Sequence, residues 1–321
     1  MGVTTCERHI VTSVLLLALF SAPSIVAAQD APPQPPKTTF RSTVDVVSVA
    51  AVVRDKRGRF ATGLKKEDFI VDEAGTRRDI TQFHAETNAS VRVALLFDVS
   101  GSMEANLLHA REAATQVLAW LDDPTDEGAV FTFDTRLDEV TPFTAGLKSL
   151  PESMSTVVPF GATSLHDAIA QAARRVATRE GRHRAVVVFT DGNDNASRLS
   201  PSEVSAIAAG IDVPVYIVGV VASIDNPGSD TSTTAGRSSF AGPLSDLAEW
   251  TGGHVFVVSS AAARSIAARQ IVDELRHEYL VAFESSGEPG WHPLVIRARG
   301  KDLVVRARSG YIAGQSRPMS D

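Results

Sequence analysis

The sequence predicts an α/β fold, a doubly wound Rossmann-like sheet with β-rich segments on both flanks. Three observations carry this. Short apolar runs at residues 91–97, 128–133, 185–190 and 213–220 have the length of strands buried on both faces, and several are rich in valine. Amphipathic stretches of helical period separate most of these runs, and strands alternating with helices imply parallel pairing through right-handed crossovers. Outside this region the pattern shifts towards alternation, with Gly- and Ser-containing turns between short runs.

Arg8 precedes an apolar run at residues 10–20, and Val26, Ala27 and Ala28 end in small side chains. This predicts a secretory signal peptide over 1–28 and a chain exported across the inner membrane to the periplasm or the exterior. The run is too short for a membrane span, so the mature chain is expected to have none. The single cysteine, Cys6, would leave with the signal, and disulfides then play no part in stability. Residues 29–39 carry Pro32, Pro33, Pro35 and Pro36 and read as an extended tether.

Residues 40–87 form a β-rich segment. Its first strand, over 40–54, partly alternates through Val44, Val46, Val47, Val49, Ala51 and Val53. Two shorter strands, 68–72 and 78–83, surround a turn at 73–76. The α/β domain is expected over 88–277. After the first strand comes a helix at 104–121, with Leu107, Leu108, Ala114, Val117, Leu118 and Leu121 on its apolar positions. Residues 137–143 are expected to return antiparallel as a sheet edge. Helices at 164–178, 202–209, 244–250 and 261–277 alternate with the remaining strands, the last of them at 254–257. The C-terminal segment, 278–313, supplies strands at 278–284, 291–298 and 303–307, and residues 314–321 form a tail. Neither flank alone makes a covered sheet. Together they give six or seven strands, enough for one small β-sandwich with the α/β domain inserted between its halves.

Composition narrows the function. Of the 321 residues 44% are hydrophobic, enough for a real core, and the net charge of −7 argues against nucleic acid as the main partner. No Gly-x-Gly-x-x-Gly sequence opens a helix after a strand, so a dinucleotide site is poorly supported.

The strand at 91–97 ends in Asp98, and two hydroxyls follow at alternate positions, Ser100 and Ser102. Open α/β sheets bind ligands at this carboxyl edge. One charged and two neutral oxygens suit a hard divalent cation such as Mg²⁺, which keeps positions open for water or ligand. The same residues also suit a strand running into a helix cap. Two further segments favour the site. Thr163 follows Gly161 just before a helical pattern, and the run at 184–190 ends in Asp191.

In this order the five residues resemble the von Willebrand factor type A domain and its metal-ion-dependent adhesion site. The resemblance covers about residues 88–275. It implies a Mg²⁺ or Mn²⁺ ion touched by Ser100, Ser102 and Thr163, with Asp98 and Asp191 acting largely through water. The phrases at 53–59, 63–69 and 306–311 resemble the secreted VWFA-related family known mostly from Acidobacteria, over nearly the whole mature chain. That second resemblance implies little more about function.

Three classes of function follow. The first is a metal-dependent protein-binding module, for adhesion or scaffolding, that captures an acidic side chain of another protein. The second is a structural envelope protein with a stabilising metal. The third, an enzyme, is disfavoured. A dehalogenase-like phosphatase would want an aspartate where Ser100 stands, and no Gly-x-Ser-x-Gly is present around Ser100. Other residues read as ordinary. The seven histidines of the mature chain show no metal-ligand spacing, although His166 is placed to line the rim of the site. Asp167 suits a first helical turn, and Asp134 ends a strand facing the site. Trp120, Trp250 and Trp291 are expected in the core. Asn88 and Asn195 begin glycosylation sequons that a bacterial source would leave idle. Residues 223–239, rich in Ser, Thr and Gly, read either as an insertion with little to bury or as a loop on the site's rim.

Overall fold

The computed structural model describes residues 46–85, 89–181, 183–210, 212–221, 240 and 242–313. The expected signal peptide, tether, C-terminal tail, Asn88, the first residues of the 40–54 strand and the 223–239 loop lie outside them.

The apolar runs become a six-stranded sheet in the order β10-β9-β8-β5-β6-β7. Its members are β5 (Arg92–Asp98), β6 (Glu127–Phe133), β7 (Leu137–Ala145), β8 (Arg184–Thr190), β9 (Val215–Val220) and β10 (Val255–Val258). All pair in parallel except β7, which returns antiparallel at one edge, as its sequence predicts. The central strands bury both faces. Val93, Leu95 and Phe97 pack under α1 (Leu107–Trp120) and α5 (Ala261–Arg276). Ala94 and Leu96 point the other way, against α2 (Leu165–Ala177), α3 (Pro201–Gly210) and α4 (Pro243–Trp250). Period-2 alternation between two apolar cores is why these runs show no polar face.

The flanking segments combine. One four-stranded sheet has the order β13-β1-β11-β4, from β1 (Val46–Asp55), β4 (Ile80–Ala85), β11 (Glu278–Glu284) and β13 (Leu303–Ala307). The second, β14-β12-β2-β3, uses β2 (Phe69–Glu73), β3 (Thr76–Arg78), β12 (Gly290–Ala298) and β14 (Gly310–Ala313). Val49, Ala51, Val281 and Phe283 from one sheet and Val71, Leu294, Ile296 and Tyr311 from the other share a single core. The turn between β2 and β3 places Ala74 and Gly75 at positive φ, 48° and 81°, the pattern of a tight two-residue hairpin. The sequence reading lacked β3 as a separate strand and β14, each only three or four residues long.

The two parts are joined by buried charges at the amino edge of the parallel sheet. Glu274, near the end of α5, receives Arg54 of β1 at 3.0 Å and also binds Arg306 of β13. Within the α/β domain itself, Arg276 binds the buried Asp126 at 2.6 Å and the exposed Asp122 at 2.8 Å. Glu278 faces His183 at 3.1 Å.

Two of the three tryptophans depart from the core positions expected of them. Trp120 is half-buried against the α1–α5 core. Trp250 and Trp291 are 39% and 47% exposed. α4 buries Leu244, Leu247 and Ala248, which leaves Trp250 on its outer side. On β12 the inward positions are His292, Leu294 and Ile296. Trp291 therefore points outward, covering Gly310, where an added Cβ would come within 2.3 Å of its ring.

Candidate metal-binding site at the carboxyl edge

The site forms where β5 and β8 stop. Asp98, the last residue of β5, is wholly buried. Its Oδ1 accepts the Ser100 amide at 3.0 Å, and its Oδ2 accepts the Thr190 hydroxyl at 2.6 Å. Burial pushes this carboxyl up to about 6. The donated bonds from Thr190 and Ser100 pull it down, and the nearby charge of Asp191 pushes it up again. Among the described residues no arginine, lysine or histidine forms an ion pair with it.

Beyond Asp98 the chain makes a 3-10 turn, Gly101–Met103, and the buried Met103 anchors it. The turn sets the Ser100 and Ser102 hydroxyls 3.2 Å apart, Ser100 buried and Ser102 exposed. Two oxygens on adjacent corners of an octahedral Mg²⁺ shell would be about 3 Å apart, so this pair has the spacing such an ion needs. Donors that are all oxygen, one of them a desolvated carboxylate, fit a hard cation.

Thr163 comes from a separate loop, and its backbone is held from both sides. Its amide donates to Asn195 Oδ1 at 2.9 Å, and its carbonyl accepts the amides of Asn195 and Ala196 at 3.0 and 2.9 Å. The same loop is tied to the serine turn by the Gly101 amide, which donates to the Gly161 carbonyl at 3.1 Å. Gly161 makes this close approach at φ 87°, a conformation that favours glycine. Asp191 follows β8 and accepts the Asn193 amide at 3.2 Å. Asp98 ends β5 and the other four residues lie on turns and loops at the same edge, with Asp98 and Asp191 close enough to interact electrostatically.

His166, on the first turn of α2, binds Asp194 through Nδ1 at 2.9 Å. Burial opposes ionisation of Asp194, yet its bonds with His166 and Ser197 hold it well below the ordinary carboxylate range. Asp167 is also in that first turn, and its carboxylate accepts the amides of Arg198 and Leu199. The Asp134 carbonyl accepts the Ser164 amide at 2.7 Å, so this residue adjoins the Thr163 loop. Asn195 is used as a brace for Thr163. Thr190, Asp194 and Asn195 were missed in the sequence. The signal available was the need of a buried carboxylate for donors, which the hydroxyl just before Asp191 could meet.

A doubly wound, mostly parallel sheet with Asp98, Ser100, Ser102, Thr163 and Asp191 at its carboxyl edge places this domain in the Rossmann-like α/β class. Residues 93–193 match the family model of the von Willebrand factor type A domain, and the chain contains such a domain. No curated protein matches the chain. Among solved structures, BatB from Bacteroides thetaiotaomicron is 19% identical and aligns over 58% of this chain and 98% of its own, with a TM-score of 0.45. A von Willebrand factor type A protein from Catenulispora acidiphila is 14% identical over 86% of this chain and 76% of its own, with a TM-score of 0.44. The PilB minor pilin from Streptococcus sanguinis is 14% identical over 59% of this chain and 62% of its own, with a TM-score of 0.41. Among the described residues no helix is long and apolar enough to cross a membrane, and no three His, Cys, Asp or Glu side chains cluster as a metal site.

Proposed function

We propose that this protein is an extracytoplasmic, non-catalytic binding module whose type A domain captures an acidic side chain of another protein through a divalent cation. Ser100, Ser102 and Thr163 would hold Mg²⁺ or Mn²⁺, supported by Asp98 and Asp191. The observation that supports this most is Asp98. A carboxylate buried without a basic partner is costly, and a bound cation offsets that cost. When bound, the cation offers an electrophilic open position to an incoming carboxylate. The chain's own part is to set the hydroxyls at the right spacing, brace Thr163 through Asn195, and keep the directly bonded side chains neutral. The overall charge of −7 would otherwise oppose an acidic partner.

Calorimetry with Mg²⁺ and Mn²⁺ on wild type and Asp98→Asn tests the metal. One-site binding by wild type, lost in the variant, is expected. Equal binding by both would sink the assignment. The competing reading, a metal that only stabilises an envelope protein, predicts a large fall in melting temperature in EDTA with no Mg²⁺-dependent partner.

A further inference from the structure

Three large apolar side chains stand in solvent beside the serine turn. Phe160 is 81% exposed, Val158 is 78% exposed and Leu108 is 61% exposed. The segment that carries the first two is well held. Met154 is buried beneath it, and Val157 packs on the α1–α5 core. The Phe160 amide donates to the Val99 carbonyl at 2.9 Å, on the backbone between Asp98 and Ser100. Arg111 reaches from α1 to the Val157 carbonyl at 3.1 Å. Leu108 lies one helical turn before Arg111, on the same stripe of α1. The segment carrying the apolar rim is thus tied by its backbone to the turn that carries the oxygen cluster.

The rim and the cluster both need an occupant. A carboxylate on a cation is a small contact that any acidic residue could make. Selectivity needs additional buried area, and apolar groups displayed together commonly mark such area.

We propose that Leu108, Val158 and Phe160 form the specificity half of the binding surface. Their occupant is a segment of a partner protein that carries a large apolar side chain within about three residues of the captured acid. The separation follows from the direct bond between the Phe160 and Val99 backbones and from the ~3.3 Å rise per residue of an extended peptide. This rests on the metal-bridged reading above.

The test is selection of a displayed random-peptide library on the intact protein, in Mg²⁺ and in EDTA. The selected peptides are then titrated against wild type, Phe160→Ser, Val158→Ser and Ser100→Ala. Phe160 and Val158 are exposed, so both variants should keep the wild-type melting transition and Mg²⁺ affinity. The expected result is Mg²⁺-dependent peptides that pair an acid with a nearby large apolar residue. Phe160→Ser should weaken them about tenfold or more. Mg²⁺-dependent peptides without apolar neighbours, or bound equally by wild type and both rim variants, overturn the rim and leave the metal reading standing. Apolar-rich peptides that need Phe160 but bind equally in EDTA keep the rim and refute the metal bridge. No enrichment in either condition overturns the proposal.

Discussion

Asp98 and Glu274 are both wholly buried carboxylates, at opposite edges of the same sheet. Burial raises both. Glu274 is brought back below its ordinary value by Arg306 and Arg54, with Gln270 as a further donor. Asp98 has only neutral donors, the Thr190 hydroxyl and the Ser100 amide, and stays up at about 6. The amino edge, where sandwich and type A domain meet, neutralises its charges within the chain. The carboxyl edge keeps a desolvated carboxylate beside hydroxyls paired only with each other and exposed apolar groups. The first arrangement suits cohesion, and the second suits capture of something from outside.

The largest effect expected from breaking this contrast lies at the amino edge. Arg306→Leu leaves Glu274 buried with Arg54 as its remaining cation, and unfolding free energy should fall by about 2–4 kcal/mol in urea denaturation. A loss under about 0.5 kcal/mol would show that the network contributes no cohesion.

Glu278 gives a pH-dependent test. Burial pushes it up to about 7 despite its His183 partner. The folded state then holds this proton more tightly than the unfolded state, whose ordinary value is 4.5. Stability should therefore fall as pH rises from about 4.5 through 7, and level off above. Glu278→Gln removes the ionisation, so the variant should gain on the order of 1–3 kcal/mol relative to wild type at pH 8 and almost nothing at pH 4. Equal differences at both pH values would contradict the sign.

Asp98→Asn sharpens the comparison from the other edge. The amide can still accept from Ser100 and can donate to Thr190, so metal-free stability should stay within about 1 kcal/mol of wild type. The rise in melting temperature on adding Mg²⁺ should disappear. A loss as large as that of Arg306→Leu would place Asp98 among the cohesive groups. The smallest change is expected for Asn195→Ala. Freeing the Thr163 amide should cost about 1 kcal/mol of stability and weaken Mg²⁺ affinity several-fold by calorimetry. An unchanged affinity would show that Thr163 needs no brace.

Much of this was legible in the sequence, for identifiable reasons. The buried strands are read from apolar runs alone, and Asp98 and Asp191 stand out because each ends such a run. Ser100 and Ser102 follow within four residues of β5. The partners of buried charges were not legible, since Arg54 and Glu274 are 220 positions apart. Alternation found β12 but not its phase. Trp291, Pro293 and Val295 look as apolar as His292, Leu294 and Ile296, and the inward set is fixed by partners. His292 binds Glu73 at 3.0 Å and stacks on Tyr311 with ring centroids 5.1 Å apart. The exposure of Phe160 was equally hidden, because an apolar side chain in a loop reads as packing until the loop's hydrogen bonds place it.

The type A domain leaves the sandwich after Ala85 and returns at Glu278, and in the sandwich Ala85 lies opposite Tyr279. Entry and exit therefore sit on neighbouring strands, about 5 Å apart. Tension along the sandwich passes through β1, β4, β11 and β13 without stretching the inserted domain from end to end. A pull on the carboxyl edge is carried by the neighbouring strands β4 and β11 together with the Glu274–Arg54, Glu274–Arg306 and Glu278–His183 pairs that tie the domain to the sandwich. Detachment of the domain would therefore require these charge pairs to separate as well as the β4–β11 hydrogen bonds.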